Sequence, residues 1–100
     1  MIDRTLSGPH PACRVVVRGR VQGVYFRASA AQRAEALSLR GFARNQRDGS
    51  VLVCVTGSRA ALEALIAWLH TGPPMARVDA VEVEAIDPAG VDWPPGFLPR

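Results

Sequence analysis

Apolar residues along the chain repeat with two different periods, which predict strands and helices in turn. In four stretches the apolar residues alternate with polar ones or run together over a few positions, as they do in strands. These stretches predict strands over residues 13–18, 41–45, 51–55 and 78–86. Apolar residues spaced three and four apart predict two amphipathic helices, over roughly residues 24–39 and 59–70.

Turn and cap residues separate these stretches. Asp48-Gly49 is a strong hairpin signal between the second and third strands, and Ser58 can cap the second helix. The order of elements predicts the α+β class: a ferredoxin-like βαββαβ sandwich, with two helices on one face of an antiparallel sheet. Residues 1–12 are expected to form a flexible N-terminal tail, and residues 13–100 the one domain. The proline-rich end allows at most a very short edge strand around Phe97 and Leu98.

Composition changes this picture little, but the distribution of charge adds to it. The 100 residues are 48% hydrophobic and 21% charged, which is ordinary for a globular protein. No apolar run is long enough to cross a membrane, and no signal-peptide core follows Met1, so a cytoplasmic location is expected. The net charge of +3 is unevenly divided, since residues 1–47 hold nine arginines and two acids, and residues 48–100 three arginines and seven acids. The basic half is expected to attract anions.

The stretch over residues 15–27 carries the candidate chemistry. A β-branched strand leads to two glycines, Gly19 and Gly23, and then to the first helix. Such a turn points successive backbone N–H groups at one anion, and the helix dipole favours negative charge there. Arg27, in the first helical turn, would add a planar cation suited to phosphate oxygens. A plain connector with a solvated arginine explains the same residues, so this stretch alone leaves both interpretations open.

Two motifs in the chain resemble the signatures of the acylphosphatase family. The first is G-R-V-Q-G-V-Y-F-R at residues 19–27, and the second is G-F-A-R-N-Q-R-D-G-S-V at residues 41–51, with Gly57 beyond it. Residues 72–81 are also similar to the family's usual entry into its fourth strand. The resemblance covers about residues 13–86 and implies the same ferredoxin-like fold. The end of the chain departs from it, because Pro99 cannot donate to a sheet where family members usually form a short last strand.

The resemblance implies hydrolysis of the carboxyl-phosphate bond of small acyl phosphates, which gives a carboxylate and inorganic phosphate. Two residues are then catalytic: Arg27 clamps the phosphate oxygens and Asn45 positions the attacking water. Phosphate binding falls to Arg27 and to the backbone N–H groups of the loop before it, formed by Arg20, Val21, Gln22, Gly23, Val24, Tyr25 and Phe26. The side chain of Gln22 could touch the ligand or shape the turn. The physiological substrate stays open among acetyl, carbamoyl and aminoacyl-type phosphates.

We expect no metal, no cofactor, no nucleic-acid or membrane partner, and a monomer. The sequence holds no Ser-His-Asp set and no His, Cys or carboxylate cluster at metal-ligand spacing. An RNA-binding module is one alternative, because residues 40–43 match the start of its motif. Arg44, Asn45 and Gln46 then stand where that motif needs aromatic and apolar residues. The other alternative is a catalytically idle domain used for binding, which the presence of Arg27 and Asn45 argues against.

The two cysteines are expected to remain free thiols. Alternation places Cys13 with Val15 and Val17 beneath the helices, and places Cys54 on the face opposite to Val53. The first and third strands are expected to lie side by side and parallel. Side chains on opposite faces of a sheet cannot reach disulfide geometry, and a cytoplasmic location points the same way.

Overall fold

The computed structural model describes residues 11–100, which form five strands, two helices and one short 3₁₀ turn. The strands are β1 (Ala12–Arg20), β2 (Arg40–Asn45), β3 (Val51–Thr56), β4 (Arg77–Ile86) and β5 (Phe97–Pro99). The helices are α1 (Phe26–Ala36) and α2 (Arg59–Leu69), and the 3₁₀ turn covers Pro88–Gly90. None of the helices in this part of the chain is long and apolar enough to cross a membrane.

The strands form one sheet in the order β4-β1-β3-β2-β5, and this topology confirms the ferredoxin-like α+β prediction. β1 pairs antiparallel with both β3 and β4, and β2 pairs antiparallel with β3. The sheet is mixed rather than wholly antiparallel, because β5 joins its edge parallel to β2. The expected parallel pairing of the first and third strands was wrong. The helical connection returns β2 in the direction of β1, and the tight β2–β3 hairpin then reverses β3.

The core lies between the two helices and one face of the sheet. Two residues that pair across β1 and β3 lie on the same face of the sheet. Val15 therefore lies beside Val53, and Val17 beside Val51, in the buried layer. α1 contributes small residues to this layer, with Ala30 fully buried beside the sheet. α2 contributes large ones: Leu62, Leu65, Ile66 and Leu69. The small face of α1 lets that helix lie close to β2 and β5.

Several element boundaries differ from the predicted ones. Residues 1–10 of the predicted tail lie outside the described residues, and Ala12 already pairs with β3 and β4. β1 continues beyond residue 18 to Arg20 through an irregularity in its pairing with β4 between Arg18 and Gly19. A side chain at Gly19 would collide with the main-chain oxygen of Arg77, so the strand can continue only with glycine there. α1 ends at Ala36, not near residue 39, because Ser38 adopts a left-handed conformation with φ 59°.

β5 forms despite Pro99, which the sequence placed in doubt. The N–H of Gly41 donates to the main-chain oxygen of Gly96, and the N–H of Arg100 donates to that of Ala43 at 2.6 Å. Since N–H groups alternate along a strand, the nitrogen of Pro99 faces away from β2. β5 is also an edge strand, and on its open side a missing N–H has no partner to leave unsatisfied.

Both cysteines are free, buried and on opposite faces of the sheet, as the alternation predicted. Cys13 lies opposite Val55 in the core layer, whereas Cys54 lies opposite Arg14 on the outer face. Burial raises the pKa of the Cys13 thiol to about 12, and the neighbouring Cys54 adds to the increase. Burial also raises the pKa of Cys54, although Arg14 and Arg44 partly offset it. Neither thiol is therefore easily ionised in the folded protein.

We expect thiol titration to count two thiols in the denatured, unreduced protein and to react far more slowly with the folded one. The thiolate is the reactive species, and burial with a raised pKa suppresses it in both cysteines. An aromatic disulfide reagent at pH 8, with and without denaturant, makes the measurement. A count of zero in the denatured monomer would mean that the two cysteines share a face.

Candidate functional site

A short loop over residues 21–25 joins β1 to α1 in an unusual backbone conformation. Gly23 has φ 74°, and Tyr25, the N-cap residue of α1, has φ 60° and ψ 24°. Both values lie in the left-handed region, which glycine adopts freely and tyrosine does not. No side chain caps the helix, and no acidic residue lies in its first turn. The positive end of the helix dipole is therefore open at this loop.

The backbone N–H groups of this loop have no partners among the described residues. None of the main-chain hydrogen bonds outside the regular elements has a donor within residues 21–25. The first N–H to be satisfied is that of Ser29, which donates to the main-chain oxygen of Tyr25. Unpaired donors at the start of an uncapped helix form a concave site for an anion.

Arg27 lies in the first turn of α1, beside these donors. Its guanidinium donates to the main-chain oxygen of Arg100, which follows β5. No Asp or Glu side chain of the described residues forms an ion pair with Arg27. A guanidinium has five N–H donors, so this one contact orients the group and leaves donors for a ligand.

Asn45, the last residue of β2, lines a cavity together with Arg27. The open cavity has a volume of about 500 Å³ and is lined by Val21, Gly23, Tyr25, Phe26, Arg27, Ala28, Asn45 and Pro99. The side-chain amide of Asn45 has no hydrogen-bond partner within residues 11–100. It is therefore available to hold a small molecule in the cavity.

The structure brings together most, not all, of the residues that the resemblance pointed to. The side chains of Arg20, Gln22 and Val24 do not line the cavity. Arg20 is the last residue of β1, exposed and opposite Arg77, so the loop begins one residue later than expected. Val24 is half-buried and packs against the core. If Gln22 and Val24 bind an anion in the cavity, they do so through their main-chain N–H groups.

Gln22 ties the loop to the β2–β3 turn, which begins directly after Asn45. Its side-chain nitrogen donates to the main-chain oxygens of Gln46, at 2.8 Å, and Ser50, at 2.9 Å. The side-chain nitrogen of Gln46 donates in turn to the Ser50 hydroxyl at 2.8 Å. The sequence left two roles open for the side chain of Gln22, contact with the ligand or shaping of the turn. These contacts support the second role.

Three residues at the cavity were not singled out from the sequence. Ala28 follows Arg27 in α1 and is too small to carry a signal of its own. Pro99 lines the cavity and Arg100 contacts Arg27 because β5 runs parallel to β2 and ends opposite Ala43, two residues before Asn45. Residues 97–100 have no periodic pattern, so the sequence could not show that they lie beside the cavity.

Asp48 belongs to the turn and not to the cavity. One of its carboxylate oxygens accepts from the hydroxyl of Ser50 at 2.6 Å and from the Ser50 N–H at 3.0 Å. The other accepts from Arg18 at 3.0 Å. The hydrogen bonds from Ser50, with Arg18 adding to them, lower the pKa of Asp48 to about 2. This carboxyl stabilises the hairpin beside Asn45 in its ionised form.

We expect the stabilising effect of Asp48 to disappear in acid. Because its pKa falls from 3.8 to about 2 on folding, the unfolded state binds more protons between these values. The contribution is therefore complete above pH 3.8 and is lost as the pH falls toward 2. Urea unfolding of the wild type and Asp48→Asn should differ near neutral pH and converge in acid. A difference that did not change with pH would contradict the role of the ionised carboxylate.

The fold and the site together define a small α+β hydrolase that acts on a phosphate group. The family model described as Acylphosphatase matches residues 13–97. The chain belongs to the acylphosphatase family, whose activity is the hydrolysis of acyl phosphates.

Named relatives and solved structures agree with this assignment. An acylphosphatase of Anaeromyxobacter dehalogenans is 58% identical over 77 residues, which cover 77% of this chain and 83% of the relative. One from Xanthomonas euvesicatoria is 64% identical over 70 residues, covering 70% of this chain and 80% of the relative. The solved acylphosphatase of Coxiella burnetii superposes with a TM-score of 0.83 at 37% identity, over 91% of this chain and 93% of that one.

Proposed function

We propose that this chain hydrolyses small acyl phosphates in the cavity between Arg27 and Asn45, without a metal ion. One observation carries the proposal. Arg27, which forms no ion pair with an Asp or Glu side chain of the described residues, stands beside a loop whose N–H groups have no partners among those residues. Donors that no Asp or Glu side chain of the described residues neutralises are suited to a dianionic ligand.

The phosphate group of the substrate lies against the N–H groups of residues 21–26 and the open end of α1. Arg27 contacts its non-bridging oxygens with the donors that Arg100 does not use. Phosphoryl transfer spreads negative charge over those oxygens, and preorganised donors stabilise that charge without having to rearrange. Binding and catalysis thus use the same groups.

Asn45 holds the attacking water through its side-chain amide. A new bond forms between the water oxygen and phosphorus as the bond from phosphorus to the acyl oxygen breaks. The cavity offers no carboxylate or imidazole as a base, so the proton of the water can leave on a phosphate oxygen. The electron pair of the broken bond departs on the carboxylate.

A good leaving group makes this simple site sufficient. A carboxylate is stable without protonation, so no strong general acid is needed. The main contributions are positioning of the water and neutralisation of the phosphate charge. Both suit an acyl phosphate better than a phosphate ester of an alcohol.

The groups that line the cavity are donors to an anion and not ligands for a cation. They include a guanidinium, an amide and backbone N–H groups, and they include no carboxylate, thiol or imidazole. Within residues 11–100, no three His, Cys, Asp or Glu side chains come together as a metal site. We propose that neither a metal nor another cofactor takes part.

We propose a cytoplasmic monomer that binds neither nucleic acid nor a membrane. Its two unbridged cysteines suit a reducing compartment. Phe42, which lies on the outer sheet face, has the guanidinium of Arg100 over its ring at 4.5 Å and that of Arg44 at 5.9 Å. This ring is thus partly covered and is poorly placed to stack on a base.

Hydrolysis of benzoyl phosphate in the presence of a chelator tests the proposal, with Arg27→Ala as the key variant. Loss of one preorganised donor costs on the order of 10²–10³ in turnover, and a charged donor should cost at least as much. Arg27→Lys should lose most of the activity as well, because an ammonium lacks the planar fork. Inorganic phosphate should compete with the substrate.

Arg33→Ala is the matched control, since Arg33 is an exposed arginine at the other end of the same helix. It should keep near-normal turnover. A folded Arg27→Ala protein with near-normal turnover would rule out the assigned role. Inhibition by the chelator that added metal reverses would contradict the metal-free mechanism.

Asn45→Ala should lower turnover strongly and phosphate affinity much less. The amide is assigned to the water, whereas the loop and Arg27 hold the phosphate. Turnover and the inhibition constant of inorganic phosphate, measured on the same preparation, separate the two effects. Equal losses in both quantities would instead make Asn45 a phosphate-binding residue.

A further inference from the structure

Tyr25 is held in a backbone conformation that its own side chain disfavours. Its φ of 60° and ψ of 24° are left-handed, where a β-carbon crowds the neighbouring carbonyl. Of the described residues, only Tyr25 and Ser38 combine a positive φ with a side chain. Glycine would meet the requirement of this turn at lower cost, so the tyrosine is not explained by the shape of the loop.

The side chain of Tyr25 contributes little to folding. It is 83% exposed, the largest exposure among the large apolar side chains of residues 11–100, and it is not part of the hydrophobic core. Its hydroxyl makes no hydrogen bond within the described part of the chain. Only its main chain is used, when its carbonyl oxygen accepts from Ser29. A strained and exposed aromatic residue at a functional loop points to a role in function.

The ring of Tyr25 borders the cavity of Arg27 and Asn45. Apart from those two residues, the cavity wall is apolar or glycine, and Pro99 brings a second ring to it from β5. The phosphate group belongs at the N–H groups and at Arg27, so the acyl group must project from there along the remaining wall. Arg27 is the one charged side chain of that wall, and it is assigned to the phosphate.

We propose that Tyr25 is a specificity-determining residue that binds the acyl group of the substrate, favouring planar apolar acyl groups over small ones. This inference rests on the proposed function and deepens it. The exposed ring offers a face on which an aromatic acyl group can pack, and Pro99 limits the other side. An aromatic contact of this kind changes binding by a factor of about three to ten.

The test compares kcat/KM for benzoyl phosphate and for acetyl phosphate, and uses the ratio of the two. The intrinsic reactivity of the substrates cancels when this ratio is compared between variants. Tyr25→Asn removes the ring but keeps a residue that tolerates the left-handed conformation, and it should lower the ratio about threefold to tenfold. Tyr25→Phe keeps the ring and should keep the ratio within about twofold of the wild type.

Met75→Ala is the control for loss of an exposed apolar side chain, because Met75 is 70% exposed and lies outside the cavity. It should leave the ratio unchanged. If Tyr25→Asn fails to fold, Tyr25→Gly, which suits the same φ, replaces it.

Two results overturn the inference in distinguishable ways. In the first case, the wild type hydrolyses both substrates, and removal of the ring either lowers both kcat/KM values equally or leaves both unchanged. Tyr25 then does not select the acyl group. The proposed function would stand in that case. If the wild type hydrolyses neither substrate, the proposed function fails and this inference fails with it.

Discussion

The site depends on a loop that must be held rigid without using its own backbone donors. An N–H group that bonded to the protein could not bind the phosphate that we propose for this loop, and the loop over residues 21–25 is instead fixed by side chains. Val21 is buried, Val24 packs against the core, and Gln22 donates to two main-chain oxygens of the β2–β3 turn. The donors of the loop thus stay both preorganised and unpaired. Preorganisation of this kind is what makes charge stabilisation effective, because no donor has to move during the reaction.

The same contacts link the phosphate loop to the residue that is proposed to hold water. Gln22 reaches across to Gln46 and Ser50, and Gln46 directly follows Asn45. On the far side, Arg100 meets Arg27 because β5 pairs parallel with β2. Parts of the chain that are far apart in sequence therefore meet at the end of one strand, β2. The sheet order, with β2 between β3 and β5, makes this possible.

The sequence predicted the fold well because the two periods of apolar residues are clear in β1, α2 and β4. It also predicted Arg27 and Asn45 as site residues, from motifs that are local and specific, and both residues line one cavity. It predicted less well where long-range contacts decide the outcome. In the sequence, Pro99 was the reason to doubt a last strand. Whether the strand can form depends on the direction in which the Pro99 nitrogen faces, and the sequence does not show this direction. Likewise Arg20 falls in β1 and not in the loop because Gly19 lets β4 approach closely, which no local pattern reveals.

The uneven distribution of charge along the sequence does not carry over directly to the folded surface. The basic half of the chain suggested a broad positive field, yet acids of the other half form ion pairs with two of its arginines. Arg18 pairs with Asp48 and Glu82, and Arg14 lies 3.6 Å from Glu84. These exposed pairs contribute little stability in water. Arg27 forms no ion pair with an Asp or Glu side chain of the described residues, and it is the charged side chain that lines the cavity. In the proposed mechanism, one guanidinium and the N–H groups beside it bind the substrate anion, and their geometry determines its orientation.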